Sequence, residues 1–232
     1  MIPKRLHFTY KTDELPRIYQ ENLARWQAYA PGWEILYYSD RKVLRFFEKH
    51  FPEYVSDFKN IQLGVVKADL FRYGVLYIFG GMYNDMDTIP LKPIPEEWLS
   101  YESVVGYEYQ PSKYSCSPVP SYHADILCQW SLLATPQSPL FKEALDRSID
   151  NLRQKNYQLK YPADVLKATG PIHFTQIANR YLEDPQVLFL DMPILSPIYL
   201  KETDLTQCVV FHQFHGKSGW KLELQCPQIK LG

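Results

Sequence analysis

The chain has 232 residues with 25 Lys and Arg against 26 Asp and Glu, a formal net charge of −1, and 46% hydrophobic residues. That length buries a sizeable core, and the even charge balance excludes a general attraction to nucleic acid or anionic lipid. The unusual component is aromatic, 18 Tyr, 12 Phe and 5 Trp, a supply of surfaces that stack on planar or ring-shaped ligands such as bases and sugars.

Cys116, Cys128, Cys208 and Cys226 show neither CxxC spacing nor a dense framework, so they read as free thiols of a reducing compartment. "MIPKRLHFTY" lacks the apolar core of a signal peptide, and the longest apolar runs, such as "YGVLYIFGG", fall short of a membrane span. The expectation is a soluble cytoplasmic chain, at most peripheral to a membrane. One composition regime without repeats or a linker predicts a single domain over residues 1–232.

Along the chain, "RLHFTY" (5–10) predicts a strand and "IYQENLARWQAYA" (18–30) a helix stopped by Pro31-Gly32. "WEILYYSD" (33–40) predicts a second strand and "RKVLRFFEKHF" (41–51) a second helix. This alternation predicts an α/β fold with a largely parallel sheet between helices. In "IQLGVVKADLFRYGVLYIFGG" (61–81), Leu63, Val66, Leu70, Tyr73 and Tyr77 recur at helical spacing, and Gly80-Gly81 supplies the left-handed stop. Asp69 and Arg72 are three apart and share a face of that helix. "MYND" is a short strand and "SVVGYEY" (103–109) another, followed by a Pro/Ser/Tyr-rich loop over 110–123. "ADILCQWSLLAT" (124–135), "PLFKEALDRSIDNLRQK" (139–155) and "PIHFTQIANRYLE" (171–183) predict helices, the last opened by Pro171. "VLFLD" (187–191) and "CVVFHQF" (208–214) are late strands.

The chemistry concentrates in "YNDMDTIP" (83–90), which places Asp85 and Asp87 two residues apart. In an extended or turning segment, side chains at i and i+2 reach one face, and two anions so held repel unless a cation lies between them. Such oxygen ligands suit Mg²⁺ or Mn²⁺, with diphosphate oxygens completing the shell. D-x-D by itself is also the pattern of a solvated turn. Its position at the carboxyl end of a strand in an α/β pattern favours a ligand site.

"KADLFRYGVLYIFGGMYNDMDTIPLKPI" resembles the signature of glycosyltransferases that share a DXD-containing sugar-binding region. That group includes yeast initiating α-mannosyltransferases, bacterial capsular-polysaccharide transferases and, more distantly, the clostridial glucosylating toxins. "IPKRLHFTYK", "TGPIHFT" (169–175) and "FHGKSGW" (214–220) resemble further family segments in the same order. The resemblance implies a GT-A type, Rossmann-like mixed sheet flanked by helices, its nucleotide-sugar half about 1–110 and its acceptor side about 111–232. It implies Asp87 as direct metal ligand and Asp85 as a contact to ribose or sugar that reaches the metal through water. Asp69 and Arg72 would grip the donor sugar hydroxyls, with Tyr83 the aromatic before the motif. Tyr10 stands where relatives often carry Trp and would stack on the base, with Thr9 or the strand backbone reading its edge; packing of Tyr10 in the core is the other reading. His215 is a candidate metal ligand with His212 competing, while Lys217, Ser218 and Trp220 would close over the diphosphate.

The resemblance further implies transfer of a hexose from UDP-hexose or GDP-mannose to a glycan or lipid-linked acceptor, with Mn²⁺ or Mg²⁺ and retention of anomeric configuration. No residue declares itself as nucleophile. Gln129 falls where relatives carry an amide near the sugar's reacting face, with Asp125 one helical turn earlier; a front-face substitution needs neither, and Gln129 also reads as a helix-surface amide. Two alternatives stay open: a sugar-nucleotide-binding protein without transfer activity, and a haloacid-dehalogenase-like phosphatase using "DMDT".

Overall fold

The computed structural model describes residues 1–214. Strand β1 (Arg5–Tyr10), helix α1 (Arg17–Tyr29), strand β2 (Glu34–Ser39), helix α2 (Asp40–His50), helix α3 (Val55–Asn60) and helix α4 (Gly64–Phe79) lead into β3 (Gly81–Asn84). Strand β4 (Thr88–Pro90) follows, then β5 (Ser103–Tyr109), β6 (Ile126–Leu127), β7 (Ser131–Ala134), helix α5 (Pro139–Gln154), helix α6 (Pro162–Ala168) and helix α7 (Pro171–Ala178). Strand β8 (Val187–Leu190), a short helix α8 (Met192–Leu195) and strand β9 (Val210–His212) complete the described chain.

The main sheet runs β2-β1-β3-β7-β5-β6, with β8 pairing β5. β1 is parallel to β2 and β3, and β8 is parallel to β5, whereas β7 runs antiparallel to both β3 and β5. The sheet is therefore mixed, because β7 runs reversed at its centre and β6 pairs antiparallel with β5 at its edge. Alternation along β1 sends Leu6 and Phe8 into the core that holds Trp26 and Trp98. His7 points to the opposite face, where α2, α4, α5 and α7 supply the larger core around Phe47, Leu70, Phe141 and Phe174.

Helix α4 starts later than its apolar pattern does, after Leu63, and stops where Gly80 turns to φ +61 and Gly81 to φ +97. A Cβ on Gly80 would lie 2.6 Å from Pro136 Cδ, and one on Gly81 2.6 Å from the Arg5 carbonyl oxygen, so two glycines are required both for conformation and for space. They let the helix return directly into the sheet as β3, aiming the acid pair beyond the strand's carboxyl end.

The expected helix over 124–135 is not there: the segment forms β6 and β7. Its buried run, Leu127, Cys128, Leu132, Leu133 and Ala134, packs on both sides because β7 is an interior strand. A short, continuously apolar stretch of this kind has no period to separate strand from helix. The 171–183 helix ends at Ala178 and tightens into a 3₁₀ turn over Asn179–Tyr181. No helix among the described residues is long and apolar enough to cross a membrane. Cys116, Cys128 and Cys208 are free thiols, as expected; Cys226 lies outside the described residues.

Candidate active site

The acid pair sits in the turn between β3 and β4, and that turn is held from three sides. The Asp85 amide donates to the Trp130 carbonyl at 2.9 Å, and Thr88 returns its amide and hydroxyl to the Asp85 carbonyl at 3.1 and 2.7 Å. From α1, buried Asn22 donates Nδ2 to the Met86 carbonyl at 2.9 Å, and Trp26 donates its indole N–H to the Thr88 carbonyl at 3.2 Å. β4 pairs antiparallel with β9, setting Thr88 opposite His212.

That ladder carries His212 to the acids. Its Nε2 lies 3.2 Å from Asp87 Oδ1 and 3.8 Å from Asp85 Oδ2. Burial disfavours the charged imidazole, but hydrogen bonds to Asp85 and Asp87 outweigh it and push its pKa up to about 9. Burial likewise pushes the Asp85 carboxyl up, yet Arg72, His212 and the Tyr83 hydroxyl hold it below the ordinary carboxylate value. Asp85 thus keeps its charge beside two cations, the Arg72 guanidinium and an imidazolium. Ligand atoms of Asp85, Asp87 and His212 all lie within 4.8 Å of one another, a two-carboxylate, one-imidazole set whose chemistry fits a divalent cation of the Mn²⁺ or Mg²⁺ kind.

Behind this group stands a buried charge network. Arg72 lies 3.2 Å from Asp85 and 3.4 Å from Asp69, its guanidinium over the Tyr83 ring at 5.0 Å. Tyr83 donates to Asp85 at 2.9 Å, and Thr169 donates to Asp69 at 2.7 Å. Burial, the largest influence on Asp69, raises its pKa to about 7 despite Arg72. The Asp69–Arg72 pair is thus interior rather than a surface pair. Arg72 Nε is buried without a hydrogen-bond partner among the described residues, a donor left over for a ligand.

Two cavities meet here. A cleft of about 480 Å³ is lined by Tyr83, Asp85, Asp87, His212, Tyr122 and Tyr199, among others. A smaller pocket of about 140 Å³ is walled by Asp69, Arg72, Asp85, Gln129, Trp130 and the turn Gly170-Pro171. A third cavity, about 750 Å³, opens beside the end of β1 and is lined by Thr9, Tyr10, Val43, Leu44, Phe58 and Lys67.

Of the residues singled out in the sequence, Asp69, Arg72, Tyr83, Asp85 and Asp87 converge on one site, while Thr9 and Tyr10 border it. Tyr10 both lines the third cavity and packs edge-on against Tyr19 at 5.1 Å, so its two readings coexist. Thr9 already donates its hydroxyl to the Tyr38 carbonyl at 2.9 Å, which leaves its oxygen only as an acceptor. Gln129 is not a helix-surface amide: it is buried between β6 and β7, and its Nε2 donates to the Thr169 carbonyl at 3.0 Å and to the Tyr73 hydroxyl. Asp125 is likewise on no helix and accepts from the Ser112 amide at 3.1 Å. His215, Lys217, Ser218 and Trp220 lie outside the described residues.

Two further site residues carry little signal in the sequence. Thr169 stands out only through its place in "TGPIHFT", yet it carries the hydroxyl that anchors Asp69. Glu108 lines both the cleft and the small pocket and is 5% exposed; its signal was a lone acid in the apolar strand "SVVGYEY".

A mixed sheet with an acid pair at the carboxyl end of an inner strand is the arrangement of a GT-A type fold. Residues 16–105 match the family described as "Glycosyltransferase sugar-binding region containing DXD motif". Among curated proteins it is similar to the initiation-specific alpha-1,6-mannosyltransferase of Candida albicans, 27% identical over 80% of this chain and 55% of that one. It is also similar to inositol phosphoceramide mannosyltransferase 1 of Schizosaccharomyces pombe, 27% identical over 84% of this chain and 56% of that one. The chain spans about half the length of these curated relatives. Among solved structures, the UDP-bound glycosyltransferase domain of the YGT toxin superposes with a TM-score of 0.54 at 10% identity, covering 81% of this chain and 79% of that one. PaToxG glycosyltransferase follows at 0.51 and 20% identity, covering 79% and 70%. Both support the fold.

Proposed function

We propose that this chain is a metal-dependent hexosyltransferase that moves a sugar from a nucleoside diphosphate, with retention, to a glycan or lipid-linked acceptor. The observation that carries this reading is the convergence of Asp85, Asp87 and His212 in a cleft that adjoins a small pocket walled in part by the charged Asp69, Arg72, Asp85 and Glu108. A pyrophosphate in the cleft would lie beside the acid pair, and a hexose would fill the pocket of about 140 Å³. Asp69 and Arg72 offer opposite hydrogen-bonding character there, an acceptor and a donor for vicinal hydroxyls. The base would enter the cavity beside Tyr10, whose walls mix Val43, Leu44 and Phe58 with Lys67.

When bound to Asp85, Asp87 and His212, Mn²⁺ or Mg²⁺ would supply positive charge for the departing diphosphate. The protein's own contribution is positional: Asn22, Trp26 and Thr88 hold the acid turn rigid, and Arg72 keeps Asp85 ionised. The relatives' names favour mannose as the transferred sugar, and the lipid in one of them suits a lipid-linked acceptor. The site is compatible with either UDP-hexose or GDP-mannose. We place the reaction on the cytoplasmic side, in line with free Cys116, Cys128 and Cys208.

A screen of UDP-glucose, UDP-galactose, UDP-N-acetylglucosamine and GDP-mannose with Mn²⁺ tests the reading by thermal shift and by release of nucleoside diphosphate. One donor should raise Tm and turn over, and Asp87→Ala should abolish turnover while leaving the apo Tm within a few degrees of wild type. A wild-type chain that releases inorganic phosphate, or an Asp87→Ala chain that keeps its rate, refutes it.

A further inference from the structure

We propose that Glu108 is a catalytic residue, its carboxylate lying beside the sugar carbon that loses the diphosphate and offsetting the positive charge that carbon develops. The proposal rests on the glycosyltransferase reading above and adds a residue to it.

Three observations place Glu108 there. Among the described residues, Asp85, Glu108 and Leu166 are the ones that line both the cleft and the small pocket. A donor with its diphosphate in one and its hexose in the other has its breaking C–O bond at that junction, with Asp85 and Glu108 the two charged groups bordering it. Next, β5 breaks register with β6 here: Tyr107 pairs Leu127 and Tyr109 pairs Ile126, so the irregularity centres on Glu108. A bulge re-aims one side chain out of the alternation of its strand, and such features recur beside active sites.

The third observation is electrostatic. Around the small pocket, Asp69 and Asp85 pair with the Arg72 guanidinium, and Glu108 is a further acid in its wall. A carboxylate at this junction suits a ring gaining positive charge as its diphosphate departs. Glu108 is also held in place: the Tyr199 hydroxyl donates to Oε1 at 3.3 Å, and Tyr122 bonds the same carboxylate. Burial first, then the Glu108 charge, push both phenols up, so they remain donors at neutral pH. By contrast, the Gln129 amide nitrogen is turned away onto Tyr73 and Thr169.

The test compares Glu108→Gln and Glu108→Ala with wild type, using the donor that the wild type turns over in the screen above. Glu108→Gln should lower kcat by about 100-fold or more while donor KM moves by less than about threefold, the pattern of a group acting in the transition state. Glu108→Ala should recover turnover with sodium azide. The azide nitrogen bonds to the anomeric carbon as the C–O bond breaks, its electron pair leaving on the diphosphate, and mass spectrometry identifies the glycosyl azide. Donor-induced rise in Tm on both variants reports an intact pocket.

A Glu108→Gln chain that keeps pace with wild type overturns the proposal alone, and so does joint loss of rate and donor-induced Tm shift, the mark of a structural role. Absence of azide rescue in a Glu108→Ala chain that still binds donor also overturns it. A wild-type chain inert toward every donor overturns the hexosyltransferase reading and this proposal together.

Discussion

Replacing Arg72 by methionine tests the electrostatics on which the site depends. The guanidinium lies 3.4 Å from Asp69 and 3.2 Å from Asp85, and its side chain is 6% exposed. At an effective dielectric constant of ~20, each contact is worth about 5 kcal/mol of Coulomb attraction, set against the desolvation of three charges. Removing one partner of a buried pair costs about 3–5 kcal/mol, because the abandoned carboxylates keep the desolvation and lose the attraction. For a chain of this size that is a fall in Tm of about 6–20 °C. Methionine roughly preserves the volume, so a cavity contributes little. The sign with pH follows from the acids. Arg72 holds Asp85 below its ordinary pKa and lowers that of Asp69, so the stability it confers is present at neutral pH and lost as the acids take up protons. The deficit of Arg72→Met in thermal unfolding should therefore shrink from pH 8 to pH 5. Adding Asp69→Asn, which removes one of the stranded charges, should recover part of it. A variant melting within about 2 °C of wild type at pH 8, where the pair should be worth several times that, would refute the reasoning, as would a deficit indifferent to pH.

Other expectations follow from the same contacts. His7 is fully buried between the Gly80 carbonyl, 2.8 Å from Nε2, and the Tyr38 hydroxyl, and burial lowers its pKa to about 4. Because the unfolded imidazole takes a proton near pH 6.5 and the folded one does not, roughly 3 kcal/mol of stability should disappear between pH 6.5 and 4. His7→Gln, which keeps a donor for Gly80, should lose less Tm than wild type between pH 7.5 and 5, and an equal loss would contradict this account. Asn22→Ala strips the Met86 carbonyl of its partner from α1. The cost should be about 1–3 kcal/mol in chemical denaturation, with a weaker Mn²⁺-induced rise in Tm; an unchanged Mn²⁺ response would show that α1 does not hold the acid turn.

Much of this molecule is local and could be read from the chain. The strand–helix–strand–helix start, the Gly80-Gly81 return and the acid pair beyond it depend on periodicity and on backbone conformations that few residues adopt, and these are written in adjacent positions. Asp69 and Arg72 were legible because three residues on a helix is a fixed angle. The run around Gln129 was not legible: burial on both faces erases the period that tells strand from helix, and its place between β3 and β5 exists only once the sheet is assembled. The same holds for His212, which meets Asp87 through the ladder of β9 on β4, and for Glu108, which a bulge turns toward the junction of two cavities. Residues two or three apart share a site by covalent geometry alone. Those brought together across a hundred positions do so only through the pairing and packing of the whole sheet.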